Sequence, residues 1–180
     1  MRGGSVVGAR SGLVALRTTL TRSLYRVAVA AAAGLALAVA LPVSADFAGK
    51  VIGVGDGDSI TVLRGREQVR VRLVDIDAPE RGQPFGSRSK QSLETMVKGK
   101  EVRVVERGKD RYDRILGRVY RGDLDVNAEQ VRLGMAWVYR PVARDMSLYE
   151  IEANAREMKH GLWHDPHPTP PWQWRKANTR

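Results

Sequence analysis

The sequence predicts an α+β fold, mainly β: a five-stranded barrel carrying about three helices. Three observations predict it. Short stretches alternate apolar and polar residues between turn signals. Other stretches repeat apolar residues at helical spacing and end in glycine. The two kinds are mixed along the chain, with no internal repeat. A small closed barrel of the OB type is the architecture that suits such a mixture.

The strands come first. Val51, Ile52 and Val54 lead into a turn cluster, Gly55, Asp56, Gly57 and Asp58. Ile60 and Val62 then alternate with Ser59 and Thr61, a half-buried strand. Gly65 marks the next turn. Val69, Val71 and Leu73 alternate with Arg70 and Arg72, which puts Arg72 on the face opposite the apolar one, toward solvent or a cleft. Residues 78–86 read as a loop, rich in Pro and Gly. Glu101 to Arg107 and Ile115 to Arg121 complete the five strands.

The helices follow the same logic. Ser87 to Lys98 carries Leu93, Met96 and Val97 at core spacing, and Gly99 ends it. Asn127 to Leu133 is a short helix with Asn127 expected as its N-cap and Gly134 closing it. Ser147 and Glu150 form a capping-box pattern. Leu148, Ile151, Ala155 and Met158 then recur on one expected core face, with Gly161 at the C′ position. Asp165 to Arg180 is Pro-rich and is expected to be irregular, tethered by Trp172 and Trp174.

The N-terminus is a different kind of sequence. Residues 1–45 hold five arginines and no acid, and Val27 to Leu41 is a continuous apolar run with one Gly. Val43, Ser44 and Ala45 follow, small residues at a cleavage position. This is the pattern of a signal peptide, with cleavage expected after Ala45 and a secreted or periplasmic destination. The run of 15 residues falls short of the ~20 that span a bilayer. An uncleaved N-terminal anchor is the alternative. The expected organisation is therefore 1–45 as signal, 46–165 as one barrel domain, and 166–180 as a Pro- and Trp-rich tail. The full chain carries +10, but residues 46–180 hold 25 basic against 20 acidic residues, or +5. There are no cysteines, so packing and not disulfides must hold the domain.

Three short segments carry chemistry: Asp56 to Ser59, Arg72 to Glu80, and Asp110 to Arg114. Asp58 and Asp77 offer hard oxygen ligands, which with a backbone carbonyl and waters would suit a cation such as Ca2+. Arg72 and Arg114 carry planar, permanently charged forks matched to phosphate. Glu80 is a carboxylate free to orient a water or take its proton. Together these are the parts of a metal-assisted phosphodiester hydrolase. Each alone has a plainer reading. An Asp-Gly pair usually makes a turn, an arginine is usually a surface charge, and a loop glutamate is usually solvated. Asp56 and Asp75 read as supporting or structural acids. His160, His164 and His167 have no ligand-like spacing and read as surface residues.

These three segments, in this order, resemble the staphylococcal nuclease family. The likeness extends to Gly134–Pro141 and Gly161–Pro166. It implies an OB-like barrel with three helices that hydrolyses DNA and RNA with Ca2+, leaving 3′-phosphates. On the family pattern Arg72, Glu80 and Arg114 take the catalytic positions. Asp58 and Asp77 take the metal carboxylate positions, and Ala78 the position whose backbone carbonyl is a ligand. Arg111, Tyr112, Trp137 and Tyr139 match nucleotide-contacting positions. Trp137 stands where the family often has Tyr and is expected to keep a stacking surface. Asp113 stands where the family has Gly, and its charge is expected to oppose phosphate binding by Arg114.

The expected activity is a Ca2+-dependent nuclease acting on DNA and RNA as a monomer, meeting a membrane only if the N-terminal segment stays attached. A non-catalytic nucleic-acid-binding module on the same barrel is the competing reading, and an envelope-anchored structural domain is a third. Chelator-sensitive cleavage separates the first from the other two.

Overall fold

The computed structural model describes residues 46–178, so the expected signal segment lies outside the described residues. The strands are β1 (Phe47–Asp56), β2 (Ser59–Arg64), β3 (Glu67–Leu73), β4 (Ile76–Asp77), β5 (Glu101–Lys109), β6 (Ile115–Arg121), β7 (Leu124–Asp125) and β8 (Trp137–Val138). The helices are α1 (Gly86–Val97), α2 (Val126–Arg132), α3 (Ser147–Glu157) and α4 (Pro171–Asn178), with a 3-10 turn at Gly161–His164.

The main sheet runs β3-β2-β1-β5-β6-β7, and a further β3–β6 pairing closes it. The result is the expected five-stranded OB-like barrel of β1, β2, β3, β5 and β6. Closure is parallel, Val71 opposite Ile115 and Leu73 opposite Gly117. The long β1 serves two neighbours, β5 through Phe47–Lys50 and β2 through Lys50–Asp56. Register shifts at Val51/Gly53 and Val54/Asp56 let it bend between them. β4 and β8 form a separate two-stranded sheet that pairs Asp77 with Trp137.

Alternation in the strands translates directly into the core. Val51, Ile60, Val62, Val71, Leu73, Val102, Val104 and Val119 face inward, joined by Leu93 and Val97 of α1, Val126 and Val131 of α2, and Leu148 of α3. A second cluster joins Trp137, Ala155, Leu162 and Trp163, with Phe85 and Trp172 against it.

Five local expectations are corrected. Gly161 is not the C′ residue of α3: the helix ends at Glu157 with Met158 as its cap, and Lys159, with φ 51°, takes the left-handed position. Asn127 is not a cap: Asp125 accepts the Ala128 N–H (3.1 Å), while Asn127 is fully buried and bonds Val119 N (3.0 Å) and Val74 O (2.9 Å). The capping box does not form either. Asp145, outside the helix, accepts from both Ser147 N and Ser147 Oγ. Met158 is 66% exposed because α3 ends at Glu157, before its face completes another turn. The C-terminal segment is not irregular throughout, since α4 occupies half of it. Pro171 opens α4, a position where its fixed φ and missing N–H suit a first helical turn.

Candidate active site

The turn between β1 and β2 is built to deliver one carboxylate inward. Asp56 Oδ1 accepts from Asp58 N (3.1 Å) and Ser59 Oγ (2.6 Å), closing the turn on itself. These bonds outweigh burial and hold the Asp56 carboxyl below its ordinary value. Gly57 is packed so tightly that a Cβ there would run into Ser89 Oγ and Ala78 Cβ. Gln130 Nε2 donates to the Gly57 carbonyl (2.6 Å) from α2. Asp58 is thereby pushed into the interior, where its Oδ2 accepts from Ala78 N (2.6 Å).

Arg72 reaches the same place from β3, where it pairs in register with Ser59. Its Nη1 bonds Asp58 Oδ1, and its Nη2 bonds Asp77 Oδ1 at 2.6 Å. Asp58 is 1% exposed and Asp77 is fully buried. Burial pushes the Asp58 carboxyl well up, and the nearby Asp56 and Asp77 charges add to this against the pull of Arg72. For Arg72 burial works downward, but Asp58 and Asp77 outweigh it and the net shift is upward. Asp58 and Asp77 share the Arg72 guanidinium between them.

Glu80 lies three residues beyond Asp77 in the loop before α1. Its backbone N–H donates to Gln83 Oε1 (3.1 Å) and its Oε1 accepts from Arg175 Nη1 (2.7 Å). Arg175, on α4, also donates to Asp77, Nη2 to Oδ2 at 2.8 Å and Nη1 to Oδ1 at 3.2 Å. Asp58, Arg72, Asp77 and Glu80 thus form one connected cluster, with Arg175 as its fifth member.

Arg114 is set beside this cluster and not in it. Asp110 accepts from Tyr112 N (2.9 Å), Arg114 N (3.0 Å) and Arg114 Nε (2.7 Å), which fixes both the turn and the guanidinium. Those bonds outweigh desolvation and hold the Asp110 carboxyl below its ordinary value. Arg114 directly precedes β6, and Leu116, two residues on, is the register partner of Arg72, so the two arginines come from adjacent stretches of chain. One open cleft is lined by Arg72, Leu116, Asp110, Tyr139, Arg107 and Arg144, among others.

Asp113 makes its own contact away from Arg114. Its backbone is left-handed, with φ 59°, and its carboxylate pairs with Lys109 Nζ at 2.7 Å. Both partners of that pair are exposed. Arg114 has Asp110 as its acid.

The expected nucleotide contacts divide. Tyr139 lines the cleft, and Tyr112 is 54% exposed with the Arg111 guanidinium 4.8 Å over its ring. Trp137 offers no open ring. It is buried between Trp163 (4.4 Å) and Trp172 (5.7 Å), with Arg156 above it (4.7 Å). The larger indole fills the second core and leaves stacking to its neighbours. His160, His164 and His167 are exposed, as expected, and Asp75 serves the backbone by accepting from Arg144 N (3.2 Å).

The residues missed from sequence are Arg175, Gln130 and Asp110. Pro171 at a helix start and the three-residue spacing of Trp172 and Arg175 were the available signals for α4. Nothing local marks Gln130 as the clamp on Gly57.

Among the described residues no group of three or more His, Cys, Asp or Glu is arranged to enclose a metal. What the site offers is narrower: two buried carboxylates whose oxygens are held by Arg72, Arg175 and the Ala78 N–H, next to a cleft that Arg72 lines. All-oxygen donors, few in number, suit a hard divalent cation that keeps waters and substrate as its other ligands.

Residues 70–165 match the family described as staphylococcal nuclease homologue. A micrococcal nuclease of Shigella flexneri is 46% identical over 160 residues, 83% of this chain and 92% of that protein. An uncharacterized endonuclease of Escherichia coli is 48% identical over 132 residues, 73% of this chain and 86% of its own length. A probable staphylococcal-like nuclease of Oryza sativa subsp. japonica is 34% identical over 136 residues, 73% of this chain and 41% of that protein. With the closed barrel and the Asp58–Arg72–Asp77–Glu80 cluster, these likenesses mean that the chain belongs to the staphylococcal nuclease family of phosphodiester-hydrolysing enzymes.

Proposed function

We propose that the chain is an exported, Ca2+-dependent nuclease that hydrolyses the phosphodiester bonds of DNA and RNA. One observation supports this reading: Asp58, Asp77 and Glu80 are drawn into one cluster in which three carboxylates share two guanidinia, those of Arg72 and Arg175.

Asp58, Asp77 and the Ala78 carbonyl would hold the cation. When bound it supplies positive charge to a phosphate oxygen and makes a coordinated water more acidic. Glu80, at the half-exposed edge of the cluster, orients the attacking water and takes its proton. Arg72 touches both carboxylates and also lines the cleft, so a phosphate there meets a fork that stays charged. Arg114, fixed by Asp110, approaches from the stretch just before β6. The two guanidinia stabilise the added charge of the pentacoordinate state, where donors are worth most. Arg111, Tyr112 and Tyr139 contact the nucleotide. Stacking on such rings tolerates any base, which suits broad substrate use. Trp137 contributes indirectly by supporting Trp172. Products with 3′-phosphates rest on the family resemblance alone.

The same reading takes residues 1–45 as a signal peptide cleaved after Ala45, residues 46–165 as the nuclease domain, and a monomer as the working form. N-terminal sequencing of exported protein tests the cleavage, and an intact Met1 on membrane-bound material would refute it. The activity is tested by incubating purified protein with DNA and RNA, in Ca2+ and in chelator. Cleavage of both substrates with Ca2+ and none with chelator is expected. Binding without cleavage in Ca2+ would instead identify a nucleic-acid-binding module.

A further inference from the structure

The C-terminal helix α4 lies beyond residues 70–165, the span of the family match, yet it reaches the centre of the site. Groups other than Arg175 hold it there. Pro171 is buried. Trp172 packs edge-on against Trp137 and tilted against Tyr139, each at 5.7 Å. Gln83, in the same loop as Glu80, donates to the Thr169 carbonyl just before the helix (2.6 Å). Trp172 and Arg175 are three residues apart and so share a helix face. The docked tryptophan therefore delivers the arginine to the carboxylates.

What Arg175 does there is specific. Its guanidinium covers both oxygens of Asp77 and one of Glu80, while Arg72 takes a second bond to Asp77 Oδ1. Asp77 is fully buried, so no oxygen of it is left to solvent. A divalent cation and this guanidinium need the same oxygens, and two positive centres at hydrogen-bonding range repel.

We propose that Arg175 is a functional residue of this site, competing with the divalent cation for Asp77 while it also holds Glu80, so that the C-terminal helix sets how much cation the nuclease requires. This rests on the cation reading above. In the cation-free protein Arg175 offsets carboxylate charge in this cluster. Binding requires Arg175 to release Asp77, and that release is subtracted from the cation's affinity.

The test measures binding and not cleavage. Ca2+ is titrated by calorimetry into the chelator-stripped full chain and into Arg175→Gln, Arg175→Lys and Arg81→Gln. Arg81 is an exposed neighbour of Glu80 and controls for the loss of any positive charge nearby. Arg175→Gln is expected to bind Ca2+ about tenfold more tightly, the order of one charge-assisted hydrogen bond no longer to be broken. Arg175→Lys, which keeps the charge and loses the fork, should fall between. Arg81→Gln should change affinity less than about twofold, since an exposed charge is screened. Binding by Arg175→Gln with none by the wild type would support the competition equally. Equal affinity in wild type and Arg175→Gln, a matching gain in Arg81→Gln, or weaker binding by Arg175→Gln would overturn it while leaving the cation reading intact. If none of the proteins binds Ca2+, the cation reading fails and the competition falls with it.

Discussion

Gln130→Leu tests how the barrel holds its Asp58 turn. Gln130 is fully buried. Its Nε2 donates to Gly57 O (2.6 Å) and Ser89 O (3.2 Å), and its Oε1 accepts from Ser92 Oγ (2.7 Å). Leucine has nearly the same volume, so no large cavity opens and the loss is polar. Ser92 is partly exposed and can turn to water, so it costs little. The Gly57 carbonyl is different. It belongs to a buried glycine pressed against α1, and a buried acceptor left unpaired costs roughly 1–3 kcal/mol. We expect a loss of about 2–3 kcal/mol, a fall in Tm on the order of 10 °C for a domain of this size. Asp58 is the next residue, so the looser turn should also weaken Ca2+ binding. Thermal unfolding in chelator and a Ca2+ titration are the assays. A variant as stable as the wild type, with unchanged Ca2+ affinity, would show that Gln130 does not hold the turn.

Three other outcomes are expected. Arg72→Lys keeps a charge but cannot span Asp58 and Asp77 together, so turnover should fall strongly and stability in chelator should drop by about 1–2 kcal/mol; near-normal cleavage would reduce Arg72 to a structural ion pair. Asp113→Gly should not raise cleavage even at low salt, because its carboxylate faces Lys109. Relief of the left-handed backbone and the added freedom of the unfolded chain should offset, leaving stability within about 0.5 kcal/mol; faster cleavage at low salt would restore the view that this charge opposes Arg114. Asp145→Ala removes the carboxylate that caps α3 and pairs with Arg118, at a cost of about 1 kcal/mol. The Ser147 hydroxyl bond leads the effects that hold the Asp145 carboxyl below its ordinary 3.8. Its stabilisation is therefore complete above that pH and lost as pH falls through the lower native value, so the gap between variant and wild type should close on acidification. A gap that persists at the acid end would mean the carboxylate charge is not what stabilises α3.

Much of the barrel was legible in the sequence, for a physical reason. Val51, Ile60, Val62, Val71 and Leu73 lie on strands with one buried face, and a period of two reports that directly. Leu93, Met96 and Val97 report α1 equally well. The cluster was also partly legible, because Asp58, Arg72, Asp77 and Glu80 lie in two short segments that β2 and β3 bring together by ordinary hairpin register. What failed was decided by tertiary context. Asn127 looks like a cap because asparagine usually caps, but Val74 and Val119 offer buried backbone partners that only the folded chain brings near. Trp137 looked like a stacking surface, and its burial depends on Trp163 and Trp172 arriving from later in the chain. Arg175 stands 95 residues from Glu80 in sequence, and no local pattern connects them.

The most direct test of the site assignment is cleavage rate against Ca2+ concentration for Asp58→Asn and Glu80→Gln. Asp58 is assigned to hold the cation, and affinity follows the number of charged ligands. Asp58→Asn should need much more Ca2+ and regain part of its activity when given it. Glu80→Gln keeps the size and polarity but cannot take a proton. Its rate should fall by roughly 10²–10⁴ and should not recover with added Ca2+. If Ca2+ instead rescues Glu80→Gln and leaves Asp58→Asn inert, the roles of cation ligand and base are reversed and the assignment is wrong.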